Sequence, residues 1–220
     1  MPKGYDGKES TVSLSVIRRM PRYYRFLGEL AKMGCSRISS RELSEKMGLT
    51  ASQIRQDLNC FGGFGQQGYG YNVPALQDEI GKILGLDQKL NAILIGVGNL
   101  GRAIATHMDF EARGYNLLAL FDNSPDVIGT MVNQHTVEDI SILDSFCRKH
   151  KPDVAVLCIP KEAAKALAEQ LIELGIHGFW NFSHYDLSLN HEGIVVENVH
   201  LGDSLMTLTY MVNKELNKNK

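Results

Sequence analysis

The chain has 220 residues, 44% of them hydrophobic and 22% charged, with 23 basic against 25 acidic side chains and a net charge of −2. That is enough chain for one large or two small domains, too apolar for disorder, and on its charge total no obvious nucleic-acid binder. No apolar run approaches the roughly 18 residues of a membrane span, and the opening MPKGYDGKES lacks the apolar core of a secretion signal, so a cytoplasmic protein is expected.

Cys35, Cys60, Cys147 and Cys158 show no CxxC pair and no histidine at zinc spacing. They read as reduced, packed thiols without a metal; the alternative is a redox pair brought together in space. The charge total conceals a division. Residues 1–75 hold eleven Lys/Arg against six Asp/Glu, and residues 76–220 hold twelve against nineteen. Such asymmetry points to separate tasks, with the basic part suspected of meeting phosphate.

Three helices are predicted in the basic part. The first runs from about Pro21 to Met33-Gly34, with Tyr23, Phe26, Leu27 and Leu30 on its buried face and Arg18, Arg22 and Arg25 on another stripe. The second opens on a capping box, Ser39-Ser40-Arg41-Glu42, and stops at Gly48. Thr50-Ala51-Ser52-Gln53 is a second capping-box pattern and opens the third helix. Ile54, Leu58 and Phe61 point inward there, while Ser52, Arg55, Gln56 and Asn59 form an outer stripe able to bond base edges or phosphates. Helix, tight turn and polar-faced helix make a helix-turn-helix, with 51–60 as recognition helix; the alternative is a plain solvated helix in a bundle. Residues 61–73 then interleave glycines with aromatics, which fits a hairpin, the wing of a winged helix, better than a glycine-rich linker. Gln53 in the helix and Gln66, Gln67, Tyr69 and Tyr71 in the hairpin complete the candidate DNA contacts.

The remainder alternates strand and helix. Leu90–Ile95 reads as a buried strand running into Gly96-Val97-Gly98-Asn99-Leu100-Gly101, followed by an amphipathic helix over about 100–113 and a strand 117–121 ending at Asp122. That is the dinucleotide fingerprint: Gly96 for the tight turn, Gly98 for approach of the pyrophosphate, Gly101 for helix–strand packing, and Asp122 for ribose hydroxyls. A carboxylate at Asp122, with no arginine after it, favours NAD+ and NADH over their 2′-phosphorylated forms; another nucleotide such as coenzyme A is the alternative. A helix near 139–150, strands at 153–159, 178–182 and 194–199 and a helix at 162–174 extend a doubly wound parallel sheet. Ile159, Pro160 and Asn181, at strand ends, are further candidate cofactor contacts.

The last helix, about 203–217, is apolar on more than one face. That suggests a subunit interface through Leu205, Leu208, Met211 and Val212, or a terminal helix lying in a groove of its own domain. Catalysis finds no support in the residues, and an NAD-dependent oxidoreductase with an accessory helix-turn-helix domain is the alternative. Tyr210 and Lys214 match a Tyr-x-x-x-Lys spacing by chance, and the seven histidines show no metal spacing. His107 follows the glycine loop, either near the cofactor or on a polar face. The expected organisation is a winged helix-turn-helix domain (1–85), a Rossmann domain (86–202) and a dimerisation helix (203–220).

Arg19-Met-Pro-Arg-Tyr-Tyr-Arg-Phe-Leu27, Ile38-Ser-Ser-Arg-Glu-Leu43, Gln53-Ile-Arg-Gln-Asp-Leu58, Phe61-Gly-Gly-Phe-Gly65, Gly68-Tyr-Gly-Tyr71 and Ile95-Gly-Val-Gly-Asn-Leu-Gly101 together resemble the redox-sensing transcriptional repressor Rex family over nearly the whole chain. The resemblance implies a homodimer that binds double-stranded palindromic operator DNA, releases it on binding NADH, and exchanges C-terminal helices between subunits. The chain departs from the family pattern in several places. Gln56 stands where lysine is usual in Arg-Lys-Asp, and Gln66-Gln67 where the wing usually carries lysine or arginine. His184 stands for the proline of Asn-Phe-x-Pro, and His200 where an acidic residue is usual. Fewer cations imply weaker DNA binding, a shallower salt dependence or an altered operator.

Overall fold

The computed structural model describes residues 12–62, 64–66 and 69–218. The chain divides between Asp87 and Gln88 into two compact units, two residues beyond the boundary placed at 85/86 from composition.

The first unit opens with α1 (Leu14–Ile17) and α2 (Met20–Lys32), the latter with Pro21 in its first turn. Tyr23, Leu27 and Leu30 are buried as their spacing predicts, and Phe26 is half-buried. A two-residue strand that periodicity could not show, β1 (Arg37–Ile38), precedes α3 (Ser40–Met47). The capping box is made in both directions: the Glu42 N–H donates to Ser39 Oγ at 3.1 Å and the Ser39 N–H to Glu42 Oε2 at 2.8 Å. Gly48, at φ +63°, ends the helix. In α4 (Ala51–Asn59) the Gln53 N–H donates to Thr50 Oγ1 at 3.1 Å, but the Gln53 side chain turns instead to Asp57, so the second capping box is only half made.

Beyond α4, β2 (Gly65–Gln66) and β3 (Gly70–Asn72) form an antiparallel hairpin, and β3 pairs β1 to complete a three-stranded sheet. Gly70 sits at φ +69°, and a Cβ there would lie 2.6 Å from the Ile38 carbonyl oxygen, so only glycine lets β3 approach β1. The helix α5 (Val73–Ile83), capped by Asn72, packs back on α2. This order of helices and strands, with its hairpin, is a winged helix.

Among the described residues, one charged group lies in this interior. Asp57 is 1% exposed. Arg19 donates to its two carboxylate oxygens from Nε and Nη2, each at 2.7 Å, Gln53 Nε2 donates at 2.8 Å and the Tyr23 hydroxyl at 3.0 Å. Burial pushes the Asp57 carboxyl up, but these hydrogen bonds outweigh it and hold the group below the usual carboxylate range. Burial and the bond to Asp57 push the Tyr23 phenol up.

The second unit contains β4 (Leu90–Ile95), α6 (Asn99–His107), β5 (Tyr115–Asp122), β6 (Met131–Val132), β7 (His135–Asp139), α7 (Leu143–His150), β8 (Val154–Leu157), α8 (Lys161–Glu173), β9 (Gly178–Asn181), α9 (Leu187–Asn190), β10 (Val195–Asn198) and α10 (Leu201–Lys218). Its sheet runs β10-β9-β8-β4-β5-β7-β6, parallel except for β6. The six parallel strands, taken in chain order, are arranged 3-2-1-4-5-6 across the sheet, which is the Rossmann topology with its switch point between β4 and β8. The helix expected over 100–113 stops at His107, and a 3-10 turn follows at Glu111–Arg113. Leu94, Leu120 and Val156 pack with Ile104 of α6 on one face; Ile93, Ile95 and Phe121 pack with Leu143, Ala168 and Leu171 on the other.

Every residue of α10 is exposed in the single chain, including Leu205, Leu208, Met211 and Val212. The helix therefore lies in no groove of its own domain, which removes that alternative. Among the described residues no helix is long and apolar enough to cross a membrane.

Arg19→Met strands the Asp57 carboxylate and is expected to destabilise the first unit by about 3 kcal/mol. A urea titration followed by circular dichroism should gain an early step, while fluorescence of Trp180, the one tryptophan and part of the second unit, keeps its midpoint. Because folding lowers the Asp57 pKa, its contribution is complete above the unfolded value of about 3.9 and is lost as pH falls through the folded value. The wild-type first-unit transition should therefore weaken below about pH 4.

Candidate dinucleotide site and nucleic-acid interface

The loop after β4 crosses the carboxyl end of the sheet at the switch point, where Rossmann folds hold their ligands. Gly96 adopts φ +93°, and a Cβ there would meet the Cys158 carbonyl oxygen at 2.5 Å and Ile159 Cγ2 at 2.6 Å. A Cβ on Gly101 would lie 1.9 Å from the Gly96 carbonyl oxygen, so α6 seats directly against the turn that precedes it. Gly98 differs: its Cβ would meet nothing within 4 Å. The three glycines thus divide into two required by the fold and one that keeps an approach open.

Gly98 is also the N-cap of α6 and has no side chain with which to cap it. The first N–H returned to the loop is that of Arg102, to the Gly98 carbonyl at 2.9 Å. The N–H groups of Asn99, Leu100 and Gly101 precede that bond and point out of the helix end, where the macrodipole adds positive partial charge. This cradle fits a pyrophosphate.

Asp122, at the end of β5, accepts the Val97 N–H on Oδ2 at 2.6 Å and the Ser124 N–H on Oδ1 at 2.8 Å. Its place at the strand end predicts bonds to ribose hydroxyls; the structure adds that it ties the glycine turn to the loop after β5. Each carboxylate oxygen keeps acceptor capacity beyond one bond, so both roles are compatible. The Val97 side chain is buried and its N–H is committed to Asp122, so that residue shapes the turn and offers no donor to a phosphate. Arg102, which sequence reasoning passed over, donates to Thr130 Oγ1 at 3.1 Å and joins α6 to the loop beyond Asp122.

Ile159 and Pro160 follow β8 across the switch point, half-buried and exposed. Asn181 must be corrected. It is fully buried, and its amide donates to the Tyr185 carbonyl and Asn198 Oδ1, each at 2.8 Å, while its oxygen accepts from Ser183. With donors and acceptor spent on the loop after β9 and on β10, it supports the rim of the crevice and cannot face a cofactor. His107 is exposed at the end of α6. Burial pushes the Cys147 thiol up to about 11 and that of Cys158 up to about 12, so neither is a poised thiolate. All four cysteines are free. Among the described residues no group of three or more His, Cys, Asp or Glu could hold a metal ion.

On α4, Ser52, Arg55, Gln56 and Asn59 are all exposed on one stripe, as the spacing predicts. Arg55 Nη1 donates to Ser40 Oγ at 3.0 Å, which links the recognition helix to the start of α3. Arg18, Arg22 and Arg25 are exposed on the approach to and the outer side of α2. Arg22 donates to the Met47 carbonyl, and its guanidinium lies 5.9 Å from the Phe26 ring centroid. One expectation gains a structural role and one is corrected. Gln53, half-buried, donates one amide N–H to Asp57 and so also braces the helix. Tyr71, in β3, is 8% exposed and packed in the core, while Tyr69, in the turn before that strand, stays outside at 70%. Gln66 lies in β2, and Gln67 lies outside the described residues.

A winged helix with a polar recognition face, joined to a Rossmann unit with an open phosphate cradle, defines a DNA-binding regulator that reads a dinucleotide. Residues 11–59 match the family described as "Putative DNA-binding protein N-terminus", and residues 87–185 match the "CoA binding domain" family. A redox-sensing transcriptional repressor Rex from Thermoanaerobacter sp. (strain X514) is 53% identical over 208 residues, 94% of this chain and 92% of the relative. One from Clostridium botulinum (strain Hall) is 51% identical over 207 residues, 94% of this chain and 98% of the relative. Among solved structures, RSP in complex with beta-NAD+ and operator DNA is similar at a TM-score of 0.86 and 51% identity, covering 96% of this chain and 97% of that one. RSP in complex with beta-NADH gives 0.85 and 48%, covering 96% and 100%. The chain belongs to the redox-sensing transcriptional repressor Rex family.

The glycine geometry predicts a separation of effects. Gly98→Ala should leave the thermal transition unchanged and weaken NADH binding at least tenfold by calorimetry, because the methyl fills the approach to the cradle. Gly101→Ala should instead lower the thermal transition itself, through the clash with the Gly96 carbonyl.

Proposed function

We propose that this chain acts as a homodimer that holds a palindromic operator and releases it on binding NADH, thereby reporting the cellular NADH/NAD+ ratio. The observation that carries the reading is the open Gly98 cradle beside Asp122, in a chain whose other unit presents the α4 stripe. The solved relative's complexes with operator DNA, beta-NAD+ and beta-NADH support it.

In this reading the N–H groups at the start of α6 receive the pyrophosphate, Asp122 takes ribose hydroxyls, and Ile159 and Pro160 border the nicotinamide half. NADH supplies the redox signal and leaves chemically unchanged: the chain is a regulator and not an enzyme. Ser52, Arg55, Gln56 and Asn59 enter the major groove, Arg18, Arg22 and Arg25 meet phosphates, and Gln66, Gln67 and Tyr69 lie along the neighbouring backbone or minor groove. Leu205, Leu208, Met211 and Val212 of α10 pack against the second subunit, which covers a face the single chain leaves in water. Two-fold symmetry then sets half-sites about one helical turn apart, or a multiple of it. Near-complete switching requires NADH to prefer the DNA-released arrangement by about 5.5 kcal/mol.

Operator binding titrated separately with NADH and NAD+ tests this. NADH should release the DNA, NAD+ should not, and NADH absorbance should stay constant throughout. Operator binding that NADH leaves unweakened would sink the redox switch. Asp122→Ala should raise the NADH concentration needed for half release at least tenfold while leaving affinity for the operator without cofactor unchanged.

A further inference from the structure

The wing contains no charge. From Phe61 to Val73 there is no Lys, Arg, Asp or Glu. A hairpin that runs beside a duplex without a cation gains nothing from the phosphate field, which supplies most of the sequence-independent affinity. The fold brings one from elsewhere. β1 pairs with β3 so that Arg37 lies opposite Asn72, and the Arg37 side chain reaches along the hairpin to Tyr69. Its Nη1 donates to the Tyr69 carbonyl at 3.2 Å, and the guanidinium carbon lies 6.0 Å from the Tyr69 ring centroid. Both side chains are exposed, Tyr69 at 70%.

We infer that Arg37, held on the Tyr69 ring, is the phosphate contact of the wing: a cation lent by β1 to a hairpin that has none. The inference rests on the DNA-binding reading above and adds to it a residue that the recognition-helix pattern does not contain. Arginine has five N–H donors, and one is used on Tyr69, so the fork can take a phosphate oxygen without leaving the ring. Stacking on an aromatic face fixes a long side chain before DNA arrives, which lowers the entropy lost on contact. The anchorage of the pair is built into the strands: Cys35 Sγ donates to the Arg37 carbonyl at 3.2 Å, and Gly70 admits β3 against Ile38. An exposed tyrosine beside a glycine-rich turn thereby has a task, as platform for the charge. DNA is favoured over an acidic protein partner because the same unit carries the outward α4 stripe, whose Arg55 is itself bonded to Ser40, three residues on from Arg37.

The test uses the full chain with two fluorescent duplexes of about three helical turns, one selected by the wild-type protein from a random-sequence library and one unselected. Affinity is read by anisotropy over a series of salt concentrations. Arg37→Ala should weaken both duplexes by a similar factor, roughly tenfold, and should lower the slope of log affinity against log salt by about two per dimer, one for each lost phosphate contact. Arg37→Lys should keep the slope while losing part of the affinity, since the charge stays and the ring-held fork goes. Tyr69→Ala should likewise keep the slope. If Arg37→Ala leaves the slope unchanged, whatever it does to affinity, Arg37 only braces the hairpin and the inference is overturned. If the wild-type protein selects no palindrome, the operator reading fails on its own, and the slope on the unselected duplex still decides the role of Arg37.

Discussion

A carboxylate taken out of water has to be matched by donors, and the DNA-facing unit is organised around that requirement at Asp57. Arg19 comes from the start of α2, Tyr23 from one turn further on, and Gln53 from the same helix as Asp57 itself. The network therefore fixes the rotation of α4 about its own axis relative to α2, and with it the direction in which Ser52, Arg55, Gln56 and Asn59 point. Apolar packing through Ile54 and Leu58 supplies burial, but hydrophobic contact is not directional. A charge with four donors is. The second unit uses the same device in milder form, where Asp122 receives two main-chain N–H groups and sets the shape of the glycine turn.

The dinucleotide site is the complement of that principle, a place where the chain withholds side chains. Gly96 and Gly101 are as close to neighbouring backbone as atoms allow, and this compression brings the start of α6 to the crevice. Gly98 then leaves its own side empty. Rigidity and vacancy are adjacent, within six residues, and each depends on the other: an open cradle on a loose turn would not hold donors in place for an anion.

Most of this architecture was legible because it is local. The Ser39–Glu42 capping box, the GxGxxG turn and the period of α2 are written in residues three or four apart, and the interval of about 20 residues to Asp122 is a recurrent length. What escaped was set by pairing over long separations. Arg19 and Asp57 are 38 positions apart, and nothing in either segment announces the other. The two-residue strands β1 and β6 and the short β7 exist because a neighbouring strand completes them, with too few alternating residues to show a period. Asn181 stands at a strand end as the pattern predicts but has another role, because its bonds to Ser183, Tyr185 and Asn198 consume the side chain. Tyr71 differs for the same reason: an aromatic residue on the right segment is engaged inside.

The bare surface of α10 carries a consequence for how the switch is set. A helix of 18 residues with no tertiary partner is held by propensity alone, which is marginal in water. In the homodimer proposed above its order would be tied to assembly, and assembly obeys mass action. In that arrangement the amount of protein in the cell would be an input alongside the cofactor: with subunits scarce, few dimers would form to occupy an operator, whatever the redox state. A repressor built this way would answer to its own abundance as well as to its effector.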